Sequence, residues 1–199
     1  MPKSTDVRVG APDQLASGAI KHAPLGTTLP GVADVTVASV TLDPAFVGNE
    51  YVSSDGLTFT PEISTSDISE WGGAIVRKPI ESANYTFSWT MISTNANALG
   101  IAFGMDNVDE TPATAEDGTK LAVKLGARQP EAQSWAFLMK DGDARIVIIV
   151  PNGQVTEVGE VTFAATEAVG WNVTMTAYPD ANGNNAYIYT NDGVKALGQ

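Results

Sequence analysis

Cysteine is absent from this chain of 199 residues, and histidine occurs only once, at His22. The missing thiols exclude disulfides, thiol nucleophiles and cysteine-ligated metal sites. A single histidine excludes a Cys–His dyad, and a Ser–His–Asp triad would have to use a histidine in a Pro- and Gly-rich segment. The chain also has no G-x-S-x-G, H-E-x-x-H or P-loop pattern. We therefore expect no enzyme, no cofactor and no metal site.

Charged residues are scarce, at 17%, and most of them are acidic, so that the net charge is −12. Lys and Arg are missing from residues 79–119 and again from residues 151–194. Nucleic-acid binding needs clustered cations that displace counterions. This distribution argues against a protein that grips DNA and is compatible with a channel that repels DNA weakly. Low charge predicts either a surface covered by other subunits or a β-rich domain that uses Thr in place of Lys, and both interpretations are open.

Long hydrophobic runs are missing as well. The longest have five residues, at 135–139 and 146–150, whereas a membrane-spanning helix needs about 20. Residues 1–6 contain no apolar segment of the kind found in signal peptides. We expect no contact with a membrane.

Proline and glycine interrupt residues 1–33 too often for long regular structure. We interpret these residues as an extended N-terminal arm, in which only residues 19–23 could form a short strand, and which an assembly would use as a tie to a neighbour. Residues 34–199 show no second boundary and no internal repeat, so we interpret them as a single β-rich domain.

Two segments show strict alternation of apolar and polar residues, at 85–92 and 171–178. Period two predicts strands that bury one face and present hydroxyl and amide groups on the other. The polar positions are Thr86, Ser88 and Thr90 in the first segment and Asn172, Thr174 and Thr176 in the second.

Other segments complete a β-rich pattern. Residues 135–140 and 144–150 flank the turn Asp141-Gly142-Asp143 and are apolar on both sides, which predicts a hairpin covered on both faces by the sandwich or by a partner subunit. Asp55-Gly56 predicts a second hairpin turn, between residues 50–53 and 57–60. Asn95 or Thr94 can cap one short helix that ends at Gly104. The fold class is therefore mainly β, an antiparallel sandwich or barrel with one short α-helix.

Two signals of ligand binding are weak. The run from Asp180 to Asn184 has oxygen ligands at alternate positions, like the start of a calcium loop. Its fourth position is Gly and its twelfth is Asn191, which favours a plain turn. The four tryptophans could form a sugar-binding platform, but three of them are in phase with apolar strand residues, which favours core packing.

Four groups of residues, in this order and spacing, resemble the major tail proteins of siphophages over nearly the whole chain. They are Trp71-Gly-Gly73 with Val76-Arg77; Phe87-Ser-Trp-Thr90 with Asn95, Leu99 and Phe103-Gly104; Trp135-x-Phe137 with Asp141-Gly142 and Pro151-Asn-Gly153; and Gly170-Trp171 with Tyr178-Pro-Asp180. The resemblance implies a β-sandwich with a helix packed outside, without the C-terminal immunoglobulin-like domain that some relatives append.

The same resemblance implies a structural virion protein, made in the cytoplasm of the bacterial host. Its hexameric rings would stack into a hollow tail tube, closed by a continuous β-barrel, through which phage DNA is ejected without specific binding. Implied partners are other copies of the chain, the tape measure protein, the tail terminator and distal tail proteins. Three alternatives are open: a decoration protein, a contractile-type tube and a monomeric carbohydrate-binding sandwich.

Two placements follow as hypotheses. The polar rows of the strands at 85–92 and 171–178 are expected to face the tube lumen or a subunit interface. Residues 42–60 are a candidate inter-ring loop, although they could instead be an ordinary hairpin, with residues 106–118 then the candidate. The loop residues are Phe46, Asn49, Tyr51, Asp55 and Gly56.

Overall fold

The structure, a computed structural model, describes residues 6–13, 18–48 and 50–195. Its elements are mostly strands, as the alternating patterns predict. In chain order they are β1 (Ile20–Pro24), β2 (Val52–Thr65), β3 (Ile68–Ser69), β4 (Ile75–Arg77), β5 (Ile80–Met91), α1 (Ala96–Phe103), β6 (Val108–Thr111), β7 (Lys120–Val123), β8 (Gln133–Asp141), β9 (Ala144–Val158), β10 (Trp171–Tyr178) and β11 (Tyr187–Asn191).

Seven strands form one antiparallel sheet in the order β1-β8-β9-β10-β5-β2, with β11 also paired to β9. The long strand β9 organises it. Gly153 pairs with β8 on one side and with β10 on the other, and β11 pairs with residues 145–149. Strand β8 occupies one edge of β9. Strands β10 and β11 therefore lie one after the other along the opposite edge of β9.

The sheet curls into two layers around a core of aromatic side chains. The rings of Phe87 in β5 and Phe137 in β8 are 5.2 Å apart, and those of Trp89 and Trp135 are 5.3 Å apart. Two strands separate β5 from β8 in the sheet order, so these contacts require the sheet to fold back on itself. This is the mainly β, antiparallel sandwich that the sequence predicts.

The hairpin of β8 and β9 is buried on both faces, as its apolar residues predict. One face contributes to the aromatic core, and the other packs against Val35 and Phe46 from the segment before β2 and against the tyrosines of β11. The cover is therefore part of the same chain. Gly142, at a φ of 58°, makes the predicted turn between the two strands.

The predicted helix is α1. The side chain of Asn95 accepts a hydrogen bond of 2.8 Å from the backbone N–H of Ala98, which satisfies one of the free amides of the first turn. Gly104 ends the helix at a φ of 97°. Ala98, Ile101 and Ala102 pack into the aromatic core.

Two sequence predictions about turns and loops are wrong. Asp55-Gly56 is not a hairpin turn, because β2 continues through it as a bulge between Val52 and Leu57, which pair with Met91 and Trp89. Gly56 has a φ of 71°, which a bulge demands as much as a turn does. The acidic stretch at 106–118 is not simply a loop, because β6 lies in it and pairs with β7.

The described N-terminal residues lie against strand β8. Strand β1 begins one residue later than predicted, and every residue of β1 pairs with a residue of β8. Farther toward the N-terminus, the backbone N–H of Asp13 donates to the carbonyl of Leu138, and that of Lys140 donates to Ala11. A tie from this segment to a neighbouring subunit stays a prediction.

Candidate functional site

The two polar rows lie side by side, in register, on the adjacent strands β5 and β10. Thr86 pairs with Thr176, Ser88 with Thr174, and Thr90 with Asn172. Directly opposite residues share one face of a sheet, with their side chains in contact distance. The sequence located each row, and the strand pairing joins them into one surface.

Strands β2 and β9 extend this surface on both sides. On β2, Thr58 pairs with Ser88 and Thr60 with Thr86; on β9, Gln154 pairs with Thr176 and Glu157 with Thr174. We call this four-stranded surface the polar face. It consists of Thr58, Thr60 and Glu62 in β2, Thr86, Ser88 and Thr90 in β5, Asn172, Thr174 and Thr176 in β10, and Gln154, Thr156 and Glu157 in β9.

Side chains of the polar face bond to one another. Asn172 Nδ2 donates to Thr90 Oγ1 at 3.0 Å, and the hydroxyls of Thr156 and Thr176 are 3.0 Å apart. Such cross-strand contacts each stabilise a sheet by about 0.2–1 kcal/mol. The polar face is therefore an ordered layer of hydroxyl and amide groups.

The charges of the polar face are all negative. It carries Glu62 and Glu157, and its four strands, described throughout, contain a single cation, Arg145. Arg145 lies at the far end of β9 and is only 1% exposed. A phosphate near most of the polar face would meet hydroxyls, amides and carboxylates; at the β9 end, Lys124 and Arg128 line a cavity together with Thr156 and Glu157.

The apolar residues beneath the polar face are fully buried. Phe87, Trp89 and Met91 of β5 and Val173 and Met175 of β10 alternate with the polar rows and belong to the aromatic core. Because the core is close-packed, the spacing of the polar rows is held by the whole domain.

The candidate loop residues are dispersed. Phe46 is buried in the core between β8, β9 and the segment before β2, and Tyr51 is 74% exposed. Asp55 and Gly56 lie in the bulge of β2. Asn49 lies outside the described residues.

A protruding hairpin, which sequence reasoning missed, extends from the sheet. Beyond Pro61, β2 and β5 pair as far as Thr65 and Ile80, and β3 and β4 continue the ribbon to a turn at residues 70–74. We call residues 61–83 the hairpin arm. Its apolar side chains are exposed, with Trp71 fully so: Ile63, Ile68, Trp71, Ile75, Val76 and Ile80. The Gly72-Gly73 pair between two weakly alternating segments was the available signal.

The only histidine is part of a buried polar cluster. His22 Nε2 lies 3.1 Å from Asn97 Oδ1, and Asn97 Nδ2 donates to Glu50 at 2.5 Å. Burial lowers the pKa of His22, against the opposing effects of the Asn97 hydrogen bond and the Glu50 charge. His22 is 3% exposed and its ring packs on Trp135, so the cluster joins β1, α1 and the segment before β2 inside the protein.

The run from Asp180 to Asn184 forms a turn. Asp180 accepts hydrogen bonds from the hydroxyl of Tyr187 and the backbone amides of Asn184 and Asn182, which lower its pKa. Within the described ranges, no group of three or more His, Asp or Glu side chains is arranged to hold a metal ion. None of the helices in the described part is long and apolar enough to cross a membrane.

The chain also matches a known protein family. A family model described as "Phage tail tube protein" matches residues 14–198. The matched region includes every strand, α1, the polar face and the hairpin arm. No curated protein matches the chain.

Proposed function

The chain belongs to the phage tail tube protein family, and from this we propose that its copies form hexameric rings that stack into the hollow tube of a siphophage tail. As a family member it is a structural component of the virion tail. DNA would pass through the tube during ejection. The observation that carries the proposal is the polar face, a wide surface on the sheet whose own residues include no Lys or Arg.

The polar face is proposed to line the lumen. A phosphate backbone binds wherever Lys and Arg replace its counterions, so a lumen with cations would retain DNA. Hydroxyls and amides keep the wall hydrated, and carboxylates such as Glu62 and Glu157 repel phosphates weakly. A surface with this chemistry lets DNA slide.

Closure of the lumen would use two sheet edges. β2 is the last strand in the sheet order, and residues 154–158 of β9 extend past the end of its pairing with β8. Open edges present unpaired N–H and C=O groups that pair readily with another chain. We propose that β2 of one subunit pairs with this part of β9 in the next, which closes a continuous barrel.

Contacts between rings are proposed for the segment that contains Tyr51, Asp55 and Gly56. Tyr51 is exposed next to the end of β5, since its carbonyl accepts from the backbone N–H of Ile92. The N-terminal arm is proposed as a second tie. Tape measure, tail terminator and distal tail proteins are the further partners proposed, after synthesis in the host cytoplasm.

The first test is assembly of the purified chain, followed by analytical ultracentrifugation and negative-stain electron microscopy over a range of concentrations. We expect rings with six subunits, or tubes with a central hole. A chain that stays monomeric at all concentrations, even with the distal tail proteins as initiator, and that binds glycan beads would contradict the proposal in favour of a carbohydrate-binding sandwich.

The second test locates the polar face in the tubes. Since the chain has no cysteine, Thr174→Cys provides a unique thiol. In assembled tubes this thiol should react with a small maleimide that diffuses through the lumen, and not with a maleimide on a bulky polymer. Unassembled subunits of the same variant, which should react with both, are the control. Equal reaction with the bulky reagent in tubes would place the polar face outside, and protection from both reagents would place it in a subunit interface.

A further inference from the structure

We propose that the cavity beside the end of β9 receives the apolar side of strand β2 from the next copy of this chain in the ring. Residues 124–130 then cover the junction of the two subunits on the side away from the lumen. This inference rests on the proposed tube function, because it deepens the proposed pairing of β2 with β9 between neighbouring subunits. It names the surface that holds the two strands on their apolar side.

The cavity follows the edge of β9. Four consecutive residues of this strand, 155–158, line it. Because the side chains of a strand alternate between its two faces, a cavity lined by consecutive residues lies at the edge of the strand. The pairing of β8 with β9 ends at Gly153, so β8 does not occupy this part of the edge. The opposite wall is the segment of residues 124–130, and the cavity is therefore a slot between a strand edge and a loop.

The slot is closed at one end and mostly apolar inside. At the closed end, Gln154 Nε2 donates to the carbonyl of Pro130 at 2.8 Å. The volume of the cavity is about 480 Å³. Leu125, on the loop wall, is 75% exposed, so a large apolar side chain is available for a partner. The apolar lining residues are Ala102, Phe103, Leu125, Pro130, Val155 and Val158.

Strand β2 carries apolar side chains that its own subunit covers only in part. Leu57 and Phe59 pack on the aromatic core, but both stay half-buried, since β2 is the last strand in the sheet order. The ring of Phe59 stacks on that of Phe87 at 4.8 Å, which fixes its position. The alternate residues Thr58 and Thr60 belong to the polar face. The free side of β2 is thus apolar toward the core and polar toward the proposed lumen.

The directions of the strands fit this contact. Strands β2, β5, β10 and β9 are neighbours in this order, and each pairing is antiparallel. β2 and β9 therefore run in opposite directions within one subunit. Rotation about the ring axis keeps those directions, so β2 of one subunit meets β9 of the next as another antiparallel pair.

The faces of the two strands limit the register between them. Val155 and Val158 are on the core side of β9, as Leu57 and Phe59 are on the core side of β2. A shift of one residue would move Thr58 and Thr60 into the apolar cavity and the apolar residues of β2 into the lumen. The slot therefore selects the registers in which the polar face continues from one subunit to the next.

This contact also separates two cations from the lumen. Lys124 and Arg128 line the cavity and form exposed ion pairs with Asp109 and Asp106. A neighbouring β2 in the slot lies between these side chains and the polar face. The ring then presents hydroxyls, amides and carboxylates to DNA across the junction, although each free subunit has cations near that edge.

The first experiment measures the concentration at which the purified full-length chain forms tubes. Leu125→Ala should raise this concentration about tenfold, because it removes an apolar side chain that becomes buried only in the assembly. Val32→Ala is the matched control, since Val32 is 66% exposed and lies outside the cavity, and it should assemble like the wild type. Unchanged circular dichroism would show that the Leu125 variant is folded.

The second experiment detects the contact directly by cross-linking in assembled tubes. A short bis-maleimide should link Leu57→Cys/Leu125→Cys into covalent oligomers, and the series should end at the number of subunits in one ring, six in the proposed tube. Within one subunit, three strand spacings of the sheet, roughly 14 Å in total, separate β2 from β9, so the link has to join two subunits. Leu57→Cys/Val32→Cys in tubes, and the first variant before assembly, should stay monomeric on denaturing gels.

The outcomes separate this contact from the tube function. Wild-type tubes together with normal assembly of Leu125→Ala, or with no oligomers from the first cysteine pair, would overturn the contact and leave the tube function intact. A series that continues beyond the subunits of one ring would also overturn it, because the link would then join different rings. Failure of the wild type to form rings or tubes would overturn both.

Discussion

Arg145 and Asp13 form a buried ion pair that connects the N-terminal segment to the start of β9. The guanidinium donates to Asp13 Oδ2 and also to the backbone carbonyls of Val37 and Ala38. Arg145 is 1% exposed and Asp13 is 8% exposed. One cation therefore joins three separate parts of the chain.

Replacement of Arg145 by Met should destabilise the protein strongly. The substitution leaves a buried carboxylate without its cation, and broken pairs of this kind cost about 3–5 kcal/mol. The urea midpoint of unfolding should fall accordingly. The double variant Asp13→Leu/Arg145→Met should recover part of the loss, because it no longer contains a lone buried charge. A double variant whose loss equals the sum of the losses of Asp13→Leu and Arg145→Met, each measured alone, would show that the two residues are not coupled.

The cap of α1 offers a smaller test. Asn95→Ala removes the side-chain acceptor for the Ala98 amide and should cost about 1 kcal/mol in unfolding free energy. Asn95→Asp keeps an acceptor and is the control, with stability near that of the wild type. Chemical denaturation measures both, and equal losses would mean that the cap contributes nothing.

The sequence identifies which face of each strand is buried, but not which strands are neighbours in the sheet. Alternation in 85–92 and 171–178 reports directly which side of each strand is apolar, and Phe87, Trp89, Val173 and Met175 are all in the core. The register that joins the two polar rows depends on pairing between residues more than 80 positions apart, such as Thr90 and Asn172. No local pattern contains that information.

Two errors arose where one local signal fits two structures. A glycine with positive φ suits a turn and a bulge equally, so Asp55-Gly56 alone does not distinguish the predicted turn from the bulge in the structure. The strand predicted at 144–150 ends too early, because β9 continues through Pro151, Asn152 and Gly153, which are common turn residues. The exposure of Trp71 is not predictable from the sequence either, because whether a large apolar residue is buried depends on contacts with residues distant in the sequence.

Gly153 occupies a position in β9 where a larger residue cannot fit. A Cβ atom there would lie 2.5 Å from Met175 Sδ and 2.9 Å from Trp135 Cδ1. Trp135 cannot move freely, because its Nε1 donates to the Gly153 carbonyl at 3.0 Å. We expect Gly153→Ala to lower the unfolding free energy by about 1–3 kcal/mol. Gly118→Ala, where a Cβ would meet nothing within 4 Å, is the matched control.

His22 should make stability depend on pH below about 6.5. Burial lowers its pKa in the folded protein below the usual value near 6.5, so the folded state binds fewer protons than the unfolded state. Stability is then full above the unfolded pKa and decreases as the pH falls from about 6.5 toward the folded pKa. Thermal melts of the wild type should show this loss, and His22→Gln, which cannot titrate, should show a flatter pH dependence. Carboxylates distant from His22 contribute equally to both proteins, so the difference reports His22 together with its coupling to Glu50, and identical slopes would contradict the prediction.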